Sequence, residues 1–285
     1  MNEVLPVNAQ IANPRIEGDQ VVRFNVSERI EHVLLMLSFT TLVVTGLPQK
    51  FHDLPGAATV VLTLGGVEVV RLIHRLFATL FTLQACYHLT YVVVGLLRRR
   101  FEPSMVPELR DVANAWQMLK YCLGLAHEEP ACGRFTYREK FEYWGVVLGA
   151  GIMIVTGAIL WFPTWATRVL PGELVPAAKE AHGGEALLAF LVIVMWHLYG
   201  VHLSPIRFPG DITIFTGRIS RKRMIEEHPL EYARLTGLPS GQPIPRRGEV
   251  VAEESTPDEA VPSQLVAGGH DKLPLATGSD TEVNR

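Results

Sequence analysis

Six histidines stand in or at the edges of long apolar runs: His32, His74, His88, His182, His197 and His202. The run "AHGGEALLAFLVIVMWHLYGVHL", Ala181 to Leu203, holds three of them together with Glu185, in a stretch long enough to cross a bilayer. An ionisable side chain in that setting is costly and marks a functional hypothesis by default. Neutral imidazole is a usual axial ligand to haem iron. The plainer alternatives for a membrane histidine are a hydrogen bond between helices and a step in a proton relay.

Spacing separates these chemistries. His74 and His88 are 14 residues apart, which on an α-helix is about 21 Å of rise and about −40° of rotation. His182 and His197 are 15 apart, about 22 Å and +60°. On each helix the two rings point to roughly one side, at opposite membrane levels, as two stacked flat macrocycles in a bundle core require. Zinc, or iron without porphyrin, would gather its ligands at one level with carboxylates or thiolates near by. Glu31 and Glu185 are too few and too far apart for that. Cys86, Cys122 and Cys132 are scattered and no CxxCH is present, which excludes covalent c-type attachment, a disulfide framework and an iron–sulfur cluster within this chain. A proton relay does not account for the paired depths.

The elements that must position these rings are membrane helices. Of 285 residues 48% are hydrophobic and only 19% charged, and the mean hydropathy is +0.20. A net charge of −3 gives no reason to expect nucleic acid. Residues 1–27 are polar and mixed, without the basic start and apolar core of a secretory signal. Four segments approach the ~20 apolar residues that a bilayer core requires: about 30–47, 72–97, 143–162 and 184–206. The expected fold is all-α and integral to the membrane, a four-helix bundle with haem sites in its core.

Asn25, with Glu28 three residues on, is placed to cap the first span, and Pro48 and Pro163 follow the first and third. "VLTLGGVEVV" reads as the lead-in to span two, and "LRDVANAWQMLKYCLGL" as a short interfacial helix. Gly145, Gly149 and Gly151 would let a helix or a flat ring approach span three closely. "VVTGLP" and "IVTGAILWFP", each followed by a histidine-bearing span, are a faint internal echo. The connection after span two carries Arg98, Arg99, Arg100, Arg110, Lys120, Arg134, Arg138 and Lys140, and the segment after span four is also basic. The positive-inside rule then places both termini in the cytoplasm. The chain divides into an N-terminal segment (1–27), a membrane domain (28–235) and a polar tail (236–285) expected to be disordered. His74 and His182 share the outer level. His32, His88, His197 and His202 share the inner one.

With these residues in hand, the chain resembles the cytochrome b (gamma) subunit of respiratory formate dehydrogenases and the related di-haem membrane cytochromes b of hydrogenases and thiosulfate reductases. The resemblance is carried by "ERIEHVLLMLSFTTLVVTGLP", "RLIHRLFATLF", "KFEYWGVVLGAGIMIVTGAILWFP", the run around span four and "FTGRISRKRMIEEHPLEY", in order over about residues 20 to 235. It implies haem b, with His32 and His197 around an inner haem and His74 and His182 around an outer one. It further implies a multi-pass protein of the bacterial inner membrane, passing electrons between a quinone pool and a partner redox subunit, either an iron–sulfur protein or a multihaem cytochrome c. Substrate chemistry would then belong to that partner. The 15-residue spacing in span four, where 14 is expected, implies a local bulge or a tilted ligand.

His88 and His202 are extra to that scheme. His202 follows His197 by five residues, about 140° on an α-helix, so the two do not readily serve one iron. Three readings stay open: His88 and His202 hold a third haem, one of them hydrogen-bonds a quinone, or His88 replaces His32 opposite His197. Arg75 and Arg71 would neutralise propionates of the outer haem or meet lipid headgroups. Glu185 would pair with Arg75 or, like Glu31, carry protons for a quinone. Tyr87, Tyr91 and Tyr199 read as interfacial belt residues, and "RISRKRM" as a stripe on anionic lipid. The rival from another class is a non-haem anchor or transporter whose histidines relay protons.

Overall fold

A computed structural model describes residues 15–99, 102–205 and 207–237. Two short strands, β1 Ile16–Glu17 and β2 Gln20–Val22, precede helix α1 Val26–Lys50. Then come α2 Pro55–Thr63, α3 Val67–Leu97, α4 Leu109–Cys122, α5 Tyr137–Trp161, the single turn α6 Pro163–Ala166 and α7 Leu174–Val192, which runs on as a π-helix, Ile193–Leu203. Helix α8 Thr213–Thr216, β3 Arg218–Ser220, α9 Arg221–Glu227 and α10 Pro229–Thr236 complete the described chain.

Helices α1, α3, α5 and α7 with its π-helical continuation are long and apolar enough to cross a membrane. Each starts four to ten residues before the expected apolar run, because its first turn is polar yet helical. Asn25 explains this for α1: its side chain accepts the Glu28 N–H at 2.9 Å, and Glu28 accepts the Asn25 N–H at 2.8 Å. Thr136 and Glu139 repeat this capping box on α5. Pro48 does not end α1 but lies inside its last turn, and the helix closes at Phe51. The apolar stretch before span two is not a lead-in either. It forms α2, and Gly65 and Gly66, at φ of 99° and 95°, break the chain before α3 in a region open mainly to glycine.

The bundle is apolar outside and polar within. Leu72 and Leu83 on α3 are 67% and 64% exposed, whereas Ser38 on α1 and Thr156 on α5 are buried. Lipid tails are as apolar as leucine, so membrane helices associate through small and hydrogen-bonding residues. Helix α1 packs chiefly on α3, and α5 on α7. The expected interfacial helix forms as α4, with Leu109, Val112, Trp116 and Leu119 along one exposed face. Its other side is tied to α5 by Lys140, which donates to Asp111 at 2.9 Å.

The small antiparallel sheet, ordered β1-β2-β3, lies outside the all-α expectation. Strands of two and three residues are too short to show an alternating pattern. Pairing of Val21 with Ile219 sets the segment before the first span and the segment after the last at one end of the bundle, called the sheet end below. Of the tail expected to be disordered, 236–285, Thr236 ends α10 and Gly237 caps it, and residues 238–285 lie outside the described residues.

The turn leaving span four is closed by Arg223, which donates to both oxygens of Asp211 at 3.1 and 2.6 Å. Burial raises the Asp211 carboxyl, but the hydrogen bonds from Arg223 and Thr213 more than offset this and hold it well below the usual carboxylate range. A depressed folded-state value stabilises the fold above the unfolded value of about 4 and is lost as pH falls through that range. Asp211→Asn is therefore expected to lower the thermal midpoint at pH 7. The gap from wild type should narrow progressively below about pH 4. Thermal scans of the detergent-solubilised protein across pH check this.

Candidate functional site

The structure brings four of the six histidines together in two pairs. At the end away from the sheet, His74 on α3 faces His182 on α7, with ring centres 6.4 Å apart. Toward the sheet end, His32 on α1 faces His197 in the π-helical stretch, with ring centres 6.2 Å apart. One metal ion bound by a nitrogen of each ring at about 2 Å needs the centres a little over 6 Å apart, since a ring centre lies roughly 1 Å behind its nitrogen. Both pairs meet that spacing.

Which nitrogen faces inward is fixed by hydrogen bonds. Thr45 Oγ1 donates to the Thr41 carbonyl at 2.7 Å, so toward His74 it can only accept, from Nδ1–H at 2.9 Å. Thr156 does the same for His182: it donates to Ile152 at 2.6 Å and accepts from the His182 Nδ1–H at 2.9 Å. His197 donates its Nδ1–H to Glu142 at 2.7 Å. In all three rings Nε2 keeps its lone pair, the state in which imidazole binds a metal, and a partner at the other nitrogen is the usual means of fixing it. His32 differs, because its Nδ1 is buried without a hydrogen-bond partner among the described residues.

Glycines admit the outer rings to the helix backbone. A Cβ on Gly46 would lie 3.1 Å from His74 Cε1, and one on Gly157 would lie 3.3 Å from His182 Cε1. Of the glycines expected to allow close approach on span three, Gly149 meets the Glu185 carboxylate, whereas Gly145 and Gly151 have no neighbour within 4 Å among the described residues.

These contacts come in copies. "RFNVSERIEH" (Arg23–His32) and "RFTYREKFEY" (Arg134–Tyr143) run in register 111 residues apart. The same offset relates Thr45-Gly46 to Thr156-Gly157 and the 25-residue helix α1 to α5. The copies touch reciprocally. Arg23 pairs with Glu139 at 2.7 Å and Arg134 with Glu28 at 3.9 Å. Each arginine also donates to the other's carbonyl, Arg23 to Arg134 O at 3.2 Å and Arg134 to Arg23 O at 3.5 Å. Reciprocal contacts of this kind define a two-fold relation, here a pseudo-two-fold exchanging α1–α3 with α5–α7. The Thr-Gly echo is one end of this repeat. Its stronger end, Arg-Phe followed by two glutamates three residues apart, passes unnoticed in a search for apolar runs because it is polar.

The extra residue in span four falls between His182 and His197, where the helix becomes π-helical from Ile193. A π-helix bonds i to i+5 and takes one more residue per turn, so it absorbs the fifteenth residue. It also corrects the 140° separation of His197 and His202, which assumes α-geometry. The two nonetheless have different neighbours: His202 Nδ1 packs against Gly210 after the helix. His88 is not brought to His202 or to His197. Its Nδ1 lies 2.7 Å from Glu31 Oε2 and its Nε2 lies 3.0 Å from the Tyr143 hydroxyl. Arg75 stacks over Trp161 at 5.6 Å, and no ion pair joins it to Glu185 among the described residues. Arg71 pairs with the exposed Glu68 at 3.2 Å. Tyr87 stacks on Tyr91 at 6.3 Å and is more than half exposed, as belt residues are.

A membrane bundle with two pairs of facing histidines, three of the four rings held by a hydrogen bond at Nδ1, has the ligand set of a b-type cytochrome. Residues 23–212 match the family described as prokaryotic cytochrome b561, and the chain belongs to that family. It is a multi-pass, haem-carrying electron-transport protein. Among curated proteins it is similar to the cytochrome b556(Fdn) subunit of the nitrate-inducible formate dehydrogenase of Escherichia coli K12, 20% identical over 77% of this chain and 93% of the relative. It is also similar to the cytochrome b556 subunit of Haemophilus influenzae formate dehydrogenase, 23% identical over 63% and 70%. The cytochrome b556(fdo) subunit of the Escherichia coli K12 formate dehydrogenase is 24% identical over 64% and 78%.

Leucine at Gly46 or Gly157 would displace His74 or His182 from the backbone notch that holds it. Each substitution is expected to remove one haem of the same redox midpoint, while Gly145→Leu removes none. Haem per chain and redox titration measure this.

Proposed function

We propose that this chain is the membrane electron-transfer subunit of a respiratory oxidoreductase, with two haems b, and that it links a quinone pool to a partner redox protein. The observation that carries the reading is the pair of histidine pairs: rings spaced for one metal ion each, at opposite levels, with Nε2 left unprotonated in His74, His182 and His197. His74 and His182 would hold the haem away from the sheet end, His32 and His197 the haem near it. Bound haem supplies a one-electron carrier at each level, so that charge crosses the membrane in two short steps.

The chain's own residues do the rest. Thr45, Thr156 and Glu142 orient the rings and keep Nε2 available to iron. Gly46 and Gly157 admit the outer rings. Arg75, one residue after His74 and stacked on Trp161, is placed to offset a propionate of the outer haem, and the stacking would limit its freedom to turn toward lipid headgroups. Neither His88 nor His202 is assigned to iron: both nitrogens of His88 have partners, and His202 packs against the turn after the helix.

The similarity to formate dehydrogenase subunits supports a partner that oxidises a small reductant and delivers electrons through an iron–sulfur or multihaem protein. The arginine-rich connection between spans two and three supports a cytoplasmic sheet end and residence in the bacterial inner membrane. Substrate oxidation would take place on the partner.

The purified protein is expected to show the sharp alpha band of reduced bis-histidine haem. His74→Ala and His182→Ala should deplete the same haem by redox midpoint, and His197→Ala the other, because a single axial ligand holds the iron weakly. Depletion of different haems by His74→Ala and His182→Ala would overturn the pairing, and a protein purified without an alpha band would overturn the whole reading. A reporter fused after residue 235 should be active only on the cytoplasmic side.

A further inference from the structure

The pseudo-two-fold carries the sheet-end ligand pair onto a second place in the bundle. On one side, Glu142 on α5 holds His197, whose ring faces His32 on α1. The offset of 111 turns Glu142 into Glu31 and His32 into Tyr143. On the other side, accordingly, Glu31 on α1 holds His88, whose ring faces Tyr143 on α5 with centres 5.8 Å apart. The neighbouring contacts are copied too: Ser27 with Tyr87 stands where Arg138 with Trp196 stands across the axis. The seam is the same, the carboxylate–histidine dyad is the same, and a phenol replaces one imidazole.

We propose that Glu31, His88 and Tyr143 form the binding site for a quinone headgroup, beside the sheet-end histidine pair. This rests on the reading that the protein exchanges electrons with quinone. The phenol decides what the site takes. The Tyr143 hydroxyl reaches His88 Nε2 at 3.0 Å and so stands where an iron would stand in the copied pair.

Hydrogen-bond roles follow from the dyad. His88 gives Nδ1–H to Glu31 at 2.7 Å, which leaves Nε2 as an acceptor and the Tyr143 O–H as a donor. A hydroquinone hydroxyl needs an acceptor, and a quinone carbonyl needs a donor. In the structure these two groups satisfy each other; a headgroup that parts them meets one acceptor and one donor, and so is served in both redox forms. Three further features fit a diffusible ring from the lipid. His88 is about one third exposed, so the site opens at the bundle edge. Glu31 precedes His32 in sequence, which puts the headgroup next to the inner ligand pair. Ser27 donates to Glu31 at 3.1 Å and lies 3.1 Å from the hydroxyl of the exposed Tyr87, a polar line from the site to the helix start.

The test uses the whole protein in lipid nanodiscs, mixed anaerobically with decylubiquinol and, separately, menadiol, with haem reduction followed at the alpha band. Each hydroquinone oxidised delivers two electrons, one to each of two haems, and sheds two protons to water. Tyr143→Phe and His88→Gln are expected to keep wild-type haem content and the full dithionite-reduced spectrum. At subsaturating quinol each should slow reduction about five- to tenfold, as loss of a hydrogen bond to the bound ring predicts. Variants that reduce as fast as wild type would overturn the site. Loss of a haem in His88→Gln would overturn it as well, by making His88 an iron ligand. A wild type that neither quinol reduces would instead overturn the quinone reading itself, a result separable from the other two.

Discussion

A hydrogen bond to the second nitrogen of an imidazole in a bilayer fixes which nitrogen is free to act as a ligand, and three of the four facing rings, all but His32, have one. Without one, the ring presents an unsatisfied polar group to an apolar medium, at a cost of order 1–3 kcal/mol, and its tautomer is undefined. Much of this bundle's interior follows from that constraint. Thr45 and Thr156 sit at matching depth on α1 and α5, each held as an acceptor by its own bond to the preceding turn. Glu31 and Glu142 supply the same service nearer the sheet end. The glycine after each threonine is the steric complement of that bond, because a Cβ there would lie 3.1 or 3.3 Å from the ring and crowd it away from the hydroxyl.

A pseudo-two-fold then places these groups economically. One helical hairpin, with a carboxylate near its start and Thr-Gly 14 residues later on the first helix and two histidines on the second, occurs twice. Face to face, the two hairpins make one site between the equivalent outer histidines, His74 and His182, and two equivalent seams at the sheet end. Those seams keep the carboxylate–histidine contact and differ where His32 on one stands against Tyr143 on the other, as they do at Ser27 against Arg138 and Tyr87 against Trp196. A symmetric frame thereby acquires two different arrangements at one level: two imidazoles face each other on one seam, and on the other an imidazole faces a phenol. The one-residue difference between the second helices is taken up by the π-helical stretch, which lets His197 reach its partner although its spacing from His182 differs from that of His74 and His88.

The sheet end is where the symmetry is locked. Arg23 and Arg134 cross the axis to each other's carbonyl and to the capping glutamates Glu139 and Glu28. These pairs are partly buried, and removing one partner of such a pair leaves an uncompensated charge. The small sheet and the Arg223–Asp211 contact close the same end from the chain's two sides.

What the sequence determined by itself is the set of features that depend on one helix at a time. Apolar length gives four spans, 3.6-residue periodicity gives the levels of the histidines, and charge bias gives an expected orientation. His32, His74, His182 and His197 stand out because an ionisable group in an apolar run needs no neighbour to be conspicuous. Helix starts lie several residues outside the apolar runs because caps are polar, and the two glycines before α3 break the chain through positive φ angles that residue type alone does not impose. Tertiary structure alone decided which groups meet across helices. Thr45, Thr156 and Glu142 are unremarkable in sequence, since a hydroxyl or carboxylate in a helix becomes a ligand support only when a ring on another helix lies within hydrogen-bond reach. His88 and His197 look alike in sequence, and in the fold each finds a glutamate for its Nδ1. They part because one faces an imidazole and the other a phenol, a difference that exists only between helices.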